Sequence, residues 1–237
     1  MEAFPKIFNM QIGVISEGHA DRAVIENIIV GLTGIDSSDI VPIRPSYLKD
    51  ETDKAAEKDN TTSSYSIIKK ECEEKELLEG FLATAGHDFV VIHIDTAEAD
   101  RYGVDRPQRK NNSHYCEELR EAVITEINKW LAVDLSDSVL YAVAIEEIDA
   151  WVLALYEDGD TVKYVNPKSR LNLLLSKKGV KFIHDPFDYY SSLTHDFKKT
   201  RFINNKKMLA TNCSLRLFCE EVVGKVVPKM TEDNTDD

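Results

Sequence analysis

"DFVVIHID", Asp88 to Asp95, is the stretch on which the architecture turns. A strand with one wet face alternates apolar and polar residues. This run stays apolar from Phe89 to Ile92 and again at Ile94, the pattern of a strand buried on both faces of a parallel sheet. Gly86, just before it, stops a preceding helix.

Working outward, "MQIGVIS" (Met10 to Ser16) is a second short apolar run, and it ends at Glu17. Ala20 to Leu32 follows, with Val24, Ile25, Ile28, Ile29 and Leu32 on one helical stripe. "IVPIRP" (Ile40 to Pro45) is a weaker strand whose prolines suit a sheet edge. After a polar loop over residues 46–63, the spacing predicts one long helix from Ser64 to Ala85, with Ile68, Cys72, Leu78 and Leu82 facing inward. Residues 96–112 form a polar loop, and a helix from Ser113 to Val133 carries Leu119, Val123, Ile127 and Leu131 at spacings of four. "SVLYAVAI" (Ser138 to Ile145) is the last strand, and Glu147 to Tyr156 the helix after it. This alternation predicts an α/β fold with a parallel sheet and helices on both faces. It is lost from Gly159 onward. The expected organisation is an α/β domain over residues 1–158, a basic, helical C-terminal region over 159–228 and a disordered acidic tail over 229–237.

The chain has 237 residues, 43% of them hydrophobic, enough to bury a sizeable core. No apolar run approaches the roughly 18 residues of a membrane span, and the start lacks the sections of a signal peptide, so a cytoplasmic protein with no membrane partner is expected. Cys72, Cys116, Cys213 and Cys219 form no Cys-x-x-Cys pair and read as reduced thiols, not as zinc ligands. The net charge of −13 is unevenly spread. Residues 163–207 hold eleven Lys or Arg against three Asp, which leaves the rest of the chain strongly acidic. Lys177, Lys178, Lys181, Lys198, Lys199, Arg201, Lys206 and Lys207, interleaved with Phe182, Phe187, Tyr189, Tyr190, Phe197 and Phe202, suit a nucleic-acid backbone with bases stacked on rings, or else a local core of rings under a solvated basic surface. An acidic protein face would need the same charges.

Ligands of open parallel sheets sit beyond the carboxyl ends of the strands. Glu17, Asp95 and the group Glu146, Glu147 and Asp149 each fall at such an end, on three different strands. Carboxylates delivered to one edge repel one another unless a cation joins them, and Mg2+, or Mn2+ in its place, takes carboxylates, waters and phosphate oxygens together. Gly18 is expected to let the chain turn tightly after the first strand, and His19 to reach a phosphate. Asp21, alone, is explained by the helix dipole. His93 reads as a core histidine.

Glu17-Gly18-x-x-Asp21 after a strand, Asp95 after a second strand and "AIEEIDAWVLALY" (Ala144 to Tyr156) resemble a Toprim domain, in particular the small stand-alone proteins related to the OLD and RloB families. The resemblance implies a Mg2+-dependent nuclease acting on DNA or RNA, with Glu17 as general acid or base, Asp95 as metal ligand and Glu147 or Asp149 in support. It departs from the pattern at Ala97, where the family carries a second Asp, so that Glu98, Asp100, Glu147 or Asp149 would have to complete the site. The resemblance also suggests a role in bacterial defence against phage. The alternative it leaves open is a catalytically degenerate subunit that binds an ATPase partner, since the chain has no phosphate loop of its own; a homo-oligomer is open too.

Overall fold

The computed structural model describes residues 10–45 and 64–232. Its centre is the strand containing "DFVVIHID". Four strands, β1 (Gln11–Ile15), β2 (Ile40–Arg44), β3 (His87–Asp95) and β4 (Val139–Ala144), form one sheet in the order β2-β1-β3-β4. All neighbours run parallel, and β3 is paired on both sides: Val91 lies opposite Val14 of β1 and Leu140 of β4. The proline-bearing β2 takes an edge, where a missing N–H costs no ladder bond.

The period of two along β3 sorts its side chains between two cores. Val90, Ile92 and Ile94 join one buried cluster, with Ile68 of α2 (Ser64–Glu74), Leu78 of α3 (Glu76–Leu82) and Val123 of α4 (Tyr115–Leu131). Phe89 and Val91 join the other, with Ile25 of α1 (His19–Thr33) and Trp151 of α5 (Asp149–Leu153). Helices therefore cover both faces. The expected single helix from Ser64 to Ala85 is broken at Lys75, which adopts left-handed geometry (φ 59°) and donates its ammonium to the carbonyl of Leu131 at 2.9 Å. The reason is one of phase. Ile68 and Cys72 are four apart, as are Leu78 and Leu82, but Cys72 and Leu78 are six apart, and a continuous helix would turn one pair away from the sheet.

The basic region is helical: α6 (Pro167–Lys177), α7 (Pro186–Leu193), two short turns α8 (Thr200–Ile203) and α9 (Lys206–Leu209), and the long α10 (Cys213–Glu232). The boundary expected at residue 158 does not divide two cores. Phe197, Phe218 and Val222 belong to the same cluster as Val14, Ile25 and Trp151, and the indole of Trp151 stacks on the ring of Phe218. The acidic tail expected from residue 229 begins within α10, because Met230 is an anchor in that core at 5% exposure. Residues 233–237 of the tail and the polar loop of 46–63 lie outside the described residues. No helix among the described residues is long and apolar enough to cross a membrane.

The C-terminal region also meets α1 backbone to backbone. A Cβ at Gly31, in the last part of α1, would sit 1.9 Å from the carbonyl oxygen of Phe197, so only glycine lets that backbone approach. Gly31→Ala is expected to lower the unfolding free energy by about 2 kcal/mol or more, since the backbone of a packed segment must move. Gly80→Ala, on an exposed turn of α3 with open space around its Cβ, is expected to raise it by about 0.5–1 kcal/mol. Urea melts of the two variants compare these effects directly, and equal effects would contradict the role assigned to Gly31.

Candidate functional site

Parallel pairing sends β1, β3 and β4 out of the sheet at one edge, and the residues that follow line a cavity of about 460 Å³ there. Glu17 and Asp21 come from the β1–α1 junction, Asp95 from the end of β3, and Glu147 and Asp149 from the start of α5. Lys168 and Asn172 of α6 and Tyr189 and Tyr190 of α7 form the opposite wall. Glu17 Oε1 accepts the backbone N–H of Asp95 at 2.8 Å, which locks the first strand exit to the second. Asp95 accepts the N–H of Ile148. Asp149 accepts the phenol of Tyr190 at 2.7 Å, and Glu147 the backbone N–H of Lys168 at 3.3 Å.

Crowding shows in the protonation of these acids. Burial, opposed by the nearby His93 and reinforced by Asp95, Glu17 and Asp149, pushes Asp21 up to about 8. Burial first, then Glu17, Asp149 and Glu147, hold Asp95 well above the ordinary carboxylate range. Burial also raises Asp149. Oδ1 of Asp95 makes no hydrogen bond: Nε2 of His93 lies 3.3 Å away without hydrogen-bond geometry, and His93 is fully buried with both ring nitrogens unpaired. The ring of His93 meets Trp151 edge-on, so the histidine is part of the core beneath the site.

Glu146 plays a different part from its neighbours. Its backbone is left-handed (φ 64°), a conformation that costs a non-glycine residue about 1–2 kcal/mol. Its N–H donates to Thr96 Oγ1 at 2.7 Å and its carbonyl accepts from Ala97. Its buried carboxylate is held by Arg106 and Arg109, each at 2.9 Å, so it is neutralised inside the protein and turned away from the cavity. Ala97 is exposed on this turn, and Glu98 pairs with Arg101 at 2.6 Å; neither they nor Asp100 line the cavity.

The remaining expected residues divide. Gly18 lines the cavity, but its backbone is extended (φ −153°) and needs no glycine for a tight turn. Its value is space, since a Cβ there would crowd Asp21 Oδ2 at 3.3 Å. His19 opens α1 and is not among the lining residues. Lys198, Lys199 and Arg201 are not brought to the site. Lys198 donates to Ser37, which precedes β2 at the opposite edge of the sheet, and lies 3.9 Å from Glu26. Lys199 pairs with Asp196, and Arg201 lies over the ring of Phe202. The cationic wall of the cavity is instead Lys168, in the earlier half of the basic region.

Asp21, Lys168 and Asn172 are site residues that sequence reasoning missed. Asp21 carried a signal, standing one helical turn beyond Glu17. The others reach the cavity only through tertiary folding. Comparison with known protein families, curated proteins and solved structures finds no match for this chain.

The raised carboxyl of Asp21 sets a pH dependence. Folded, it keeps a proton up to about pH 8, whereas its ordinary value is 3.8, so the unfolded chain binds fewer protons between those values and stability falls as pH rises through the window. Asp21→Asn is expected to flatten this fall and to melt several degrees above the wild type at pH 8, but not at pH 4. Parallel pH slopes in calorimetry of the two proteins would contradict the environment described.

Proposed function

We propose that this chain is a Mg2+-dependent nuclease of the Toprim type, cleaving phosphodiester bonds of DNA or RNA in the cytoplasm, with a role in defence against phage. The observation that carries this reading is the convergence of Glu17, Asp21, Asp95, Glu147 and Asp149 on one cavity opposite a single lysine, Lys168. Three of these carboxyls are held above their ordinary range, by burial first and by neighbouring carboxylates after it.

The donor set fits a hard divalent cation held loosely. Among the described residues, no three of these acids bring ligand oxygens within 4.8 Å of one another. Oxygens bound directly to one Mg2+ lie about 3–4 Å apart, so one or two carboxylates would touch the ion and waters would bridge to the rest. Asp95 and Asp149 are the residues to hold it, with Glu147 and Asp21 behind them. Such an ion, Mg2+ or Mn2+, supplies charge neutralisation of the phosphate in the transition state. Glu17 is the proton carrier, oriented by the Asp95 N–H at one oxygen. Lys168 offers a contact to a phosphate oxygen. Phe182, 73% exposed at the rim and edge-on to Tyr189, offers a face on which an unpaired base can stack. The absence of a second aspartate at Ala97 does not empty the site, since Asp21 and Asp149 supply carboxylates to the same cavity.

A second reading has an observation of its own. Val165, Leu173, Val180, Phe182 and Ile183 are exposed apolar residues on and around α6, and Phe182 also lines the cavity. A degenerate subunit seated on an ATPase partner would bury such a patch.

Glu17→Gln is expected to lower Mg2+-dependent cleavage at least about 100-fold while leaving the melting temperature and nucleic-acid affinity near those of the wild type. Asp95→Asn is expected to raise the Mg2+ concentration needed for half-maximal rate. Absence of cleavage of single- or double-stranded DNA or RNA with either Mg2+ or Mn2+ would sink the enzyme reading and leave the subunit.

Charge reversal at Lys177, Lys178 and Lys181, at and just after the end of α6 toward Phe182, is expected to weaken nucleic-acid binding and flatten its salt dependence. The same change at Lys198, Lys199 and Arg201 is expected to do less. Filter binding across a salt series measures both, and the opposite ranking would show that nucleic acid approaches from the other edge.

A further inference from the structure

Two cysteines far apart in the chain meet where two helices begin. Cys116 stands in the first turn of α4, followed by Glu117, and Cys213 is the first residue of α10. Sγ of Cys116, Sγ of Cys213 and a carboxylate oxygen of Glu117 all lie within 4.8 Å of one another. Among the described residues, no other three His, Cys, Asp or Glu side chains come so close. Both sulfurs are free thiols, and all three residues line a cavity of about 370 Å³ that also holds Asp160 and Lys163. Cys116 is buried, and its thiol donates toward Cys213, which holds the Cys213 thiol below its ordinary range and, with burial, pushes Cys116 itself well above it, so that Cys213 is the thiol that ionises first. Arg216 Nη2 sits 3.7 Å from Cys213 Sγ and 3.7 Å from Glu117 Oε1.

We propose that Cys116, Cys213 and Glu117 form a binding site for a soft divalent cation of the Zn2+ class, with its fourth coordination position open to the cavity. The spacing supports this. Around tetrahedral zinc, with sulfur at about 2.3 Å and oxygen at about 2.1 Å, two thiolates stand about 3.8 Å apart and a thiolate and a carboxylate about 3.6 Å. The two sulfurs need close by no more than about 1 Å, and a sulfur and the carboxylate oxygen by no more than about 1.2 Å, to reach those values. The charges support it as well. Two thiolates and a carboxylate around a dication leave one negative charge, next to Arg216 and two helix starts whose partial positive charges favour thiolates. Three donors with an open cavity match the arrangement of a zinc centre that keeps one exchangeable position.

Thiolates select zinc over magnesium, so this site takes a different class of ion from the acid-lined cavity, and it stands whether or not that cavity cleaves nucleic acid. Glu146 separates the two. Arg109 lines the thiol cavity and pairs with Glu146, the residue before Glu147.

The test is titration of the full, reduced, chelator-treated chain with Co2+, read by the thiolate-to-cobalt charge-transfer band, followed by displacement with Zn2+ and elemental analysis. One Zn2+ per chain is expected to erase the band. Cys213→Ser and Cys116→Ser are expected to abolish it, and Glu117→Gln, at a partly exposed position that the fold tolerates, to weaken Co2+ binding at least tenfold. Cys72→Ser, Cys219→Ser and Glu17→Gln are expected to leave band and stoichiometry unchanged. A reduced wild-type chain with no charge-transfer band would overturn the site, and if mild oxidation then joined Cys116 to Cys213 in peptide mass spectrometry, the pair would be a thiol–disulfide couple instead. A band that survives Cys213→Ser, or that falls equally with Cys72→Ser, would also overturn it.

Discussion

Parallel pairing of β3 with β1 on one side and β4 on the other is the constraint from which the rest follows. Strands that run the same way leave the sheet at the same edge, so the three segments after them converge whatever their length. Helix packing on both faces then closes the space around their exits. Glu17, Asp95 and the start of α5 meet because of this topology, before any side-chain preference enters. Once they meet, burial and then mutual repulsion keep Asp21, Asp95 and Asp149 reluctant to ionise.

The edge is also where the chain spends backbone strain. Glu146 holds a left-handed conformation that glycine would adopt freely, yet a glycine could not receive Arg106 and Arg109. The two ion pairs and the Thr96 hydrogen bond outweigh the local cost and hold the turn that aims Glu147 and Asp149 at the cavity. On the other face of α1, Gly31 performs a related task by removing a side chain, which lets the segment around Phe197 close over the helix.

Periodicity made the sheet legible, because a strand buried on both faces has a composition of its own and β3 shows it without ambiguity. The positions of Glu17, Asp95, Glu147 and Asp149 at strand exits could be read for the same reason. Position along the chain was less informative wherever two explanations shared one residue type. Asp21 fits a helix dipole as well as a site, so its place in the cavity was hidden by a sufficient local cause. Lys198 and its neighbours carry charge without an address, and the fold carries them to the far edge, beside Ser37. The break at Lys75 was visible in the six-residue step from Cys72 to Leu78, a mismatch that a count of apolar residues passes over. Cys116 and Cys213 had no signature at all, since their meeting depends on where α10 comes to rest against α4.

The buried pairing of Arg106 and Arg109 with Glu146 has one more consequence. Two cavities, one lined with carboxylates and one holding two thiols, are linked through that pairing, since Glu146 precedes Glu147 of the first and Arg109 lines the second. Anionic sites so near would each raise the cost of charging the other. The guanidinium groups stand at that link as an electrostatic partition, one of them touching Glu146 on one side and the carbonyl of Val162 at the thiol cavity on the other. Charge taken up at either cavity thus meets a guanidinium–carboxylate pair, and not bare apolar interior, on the way to its neighbour.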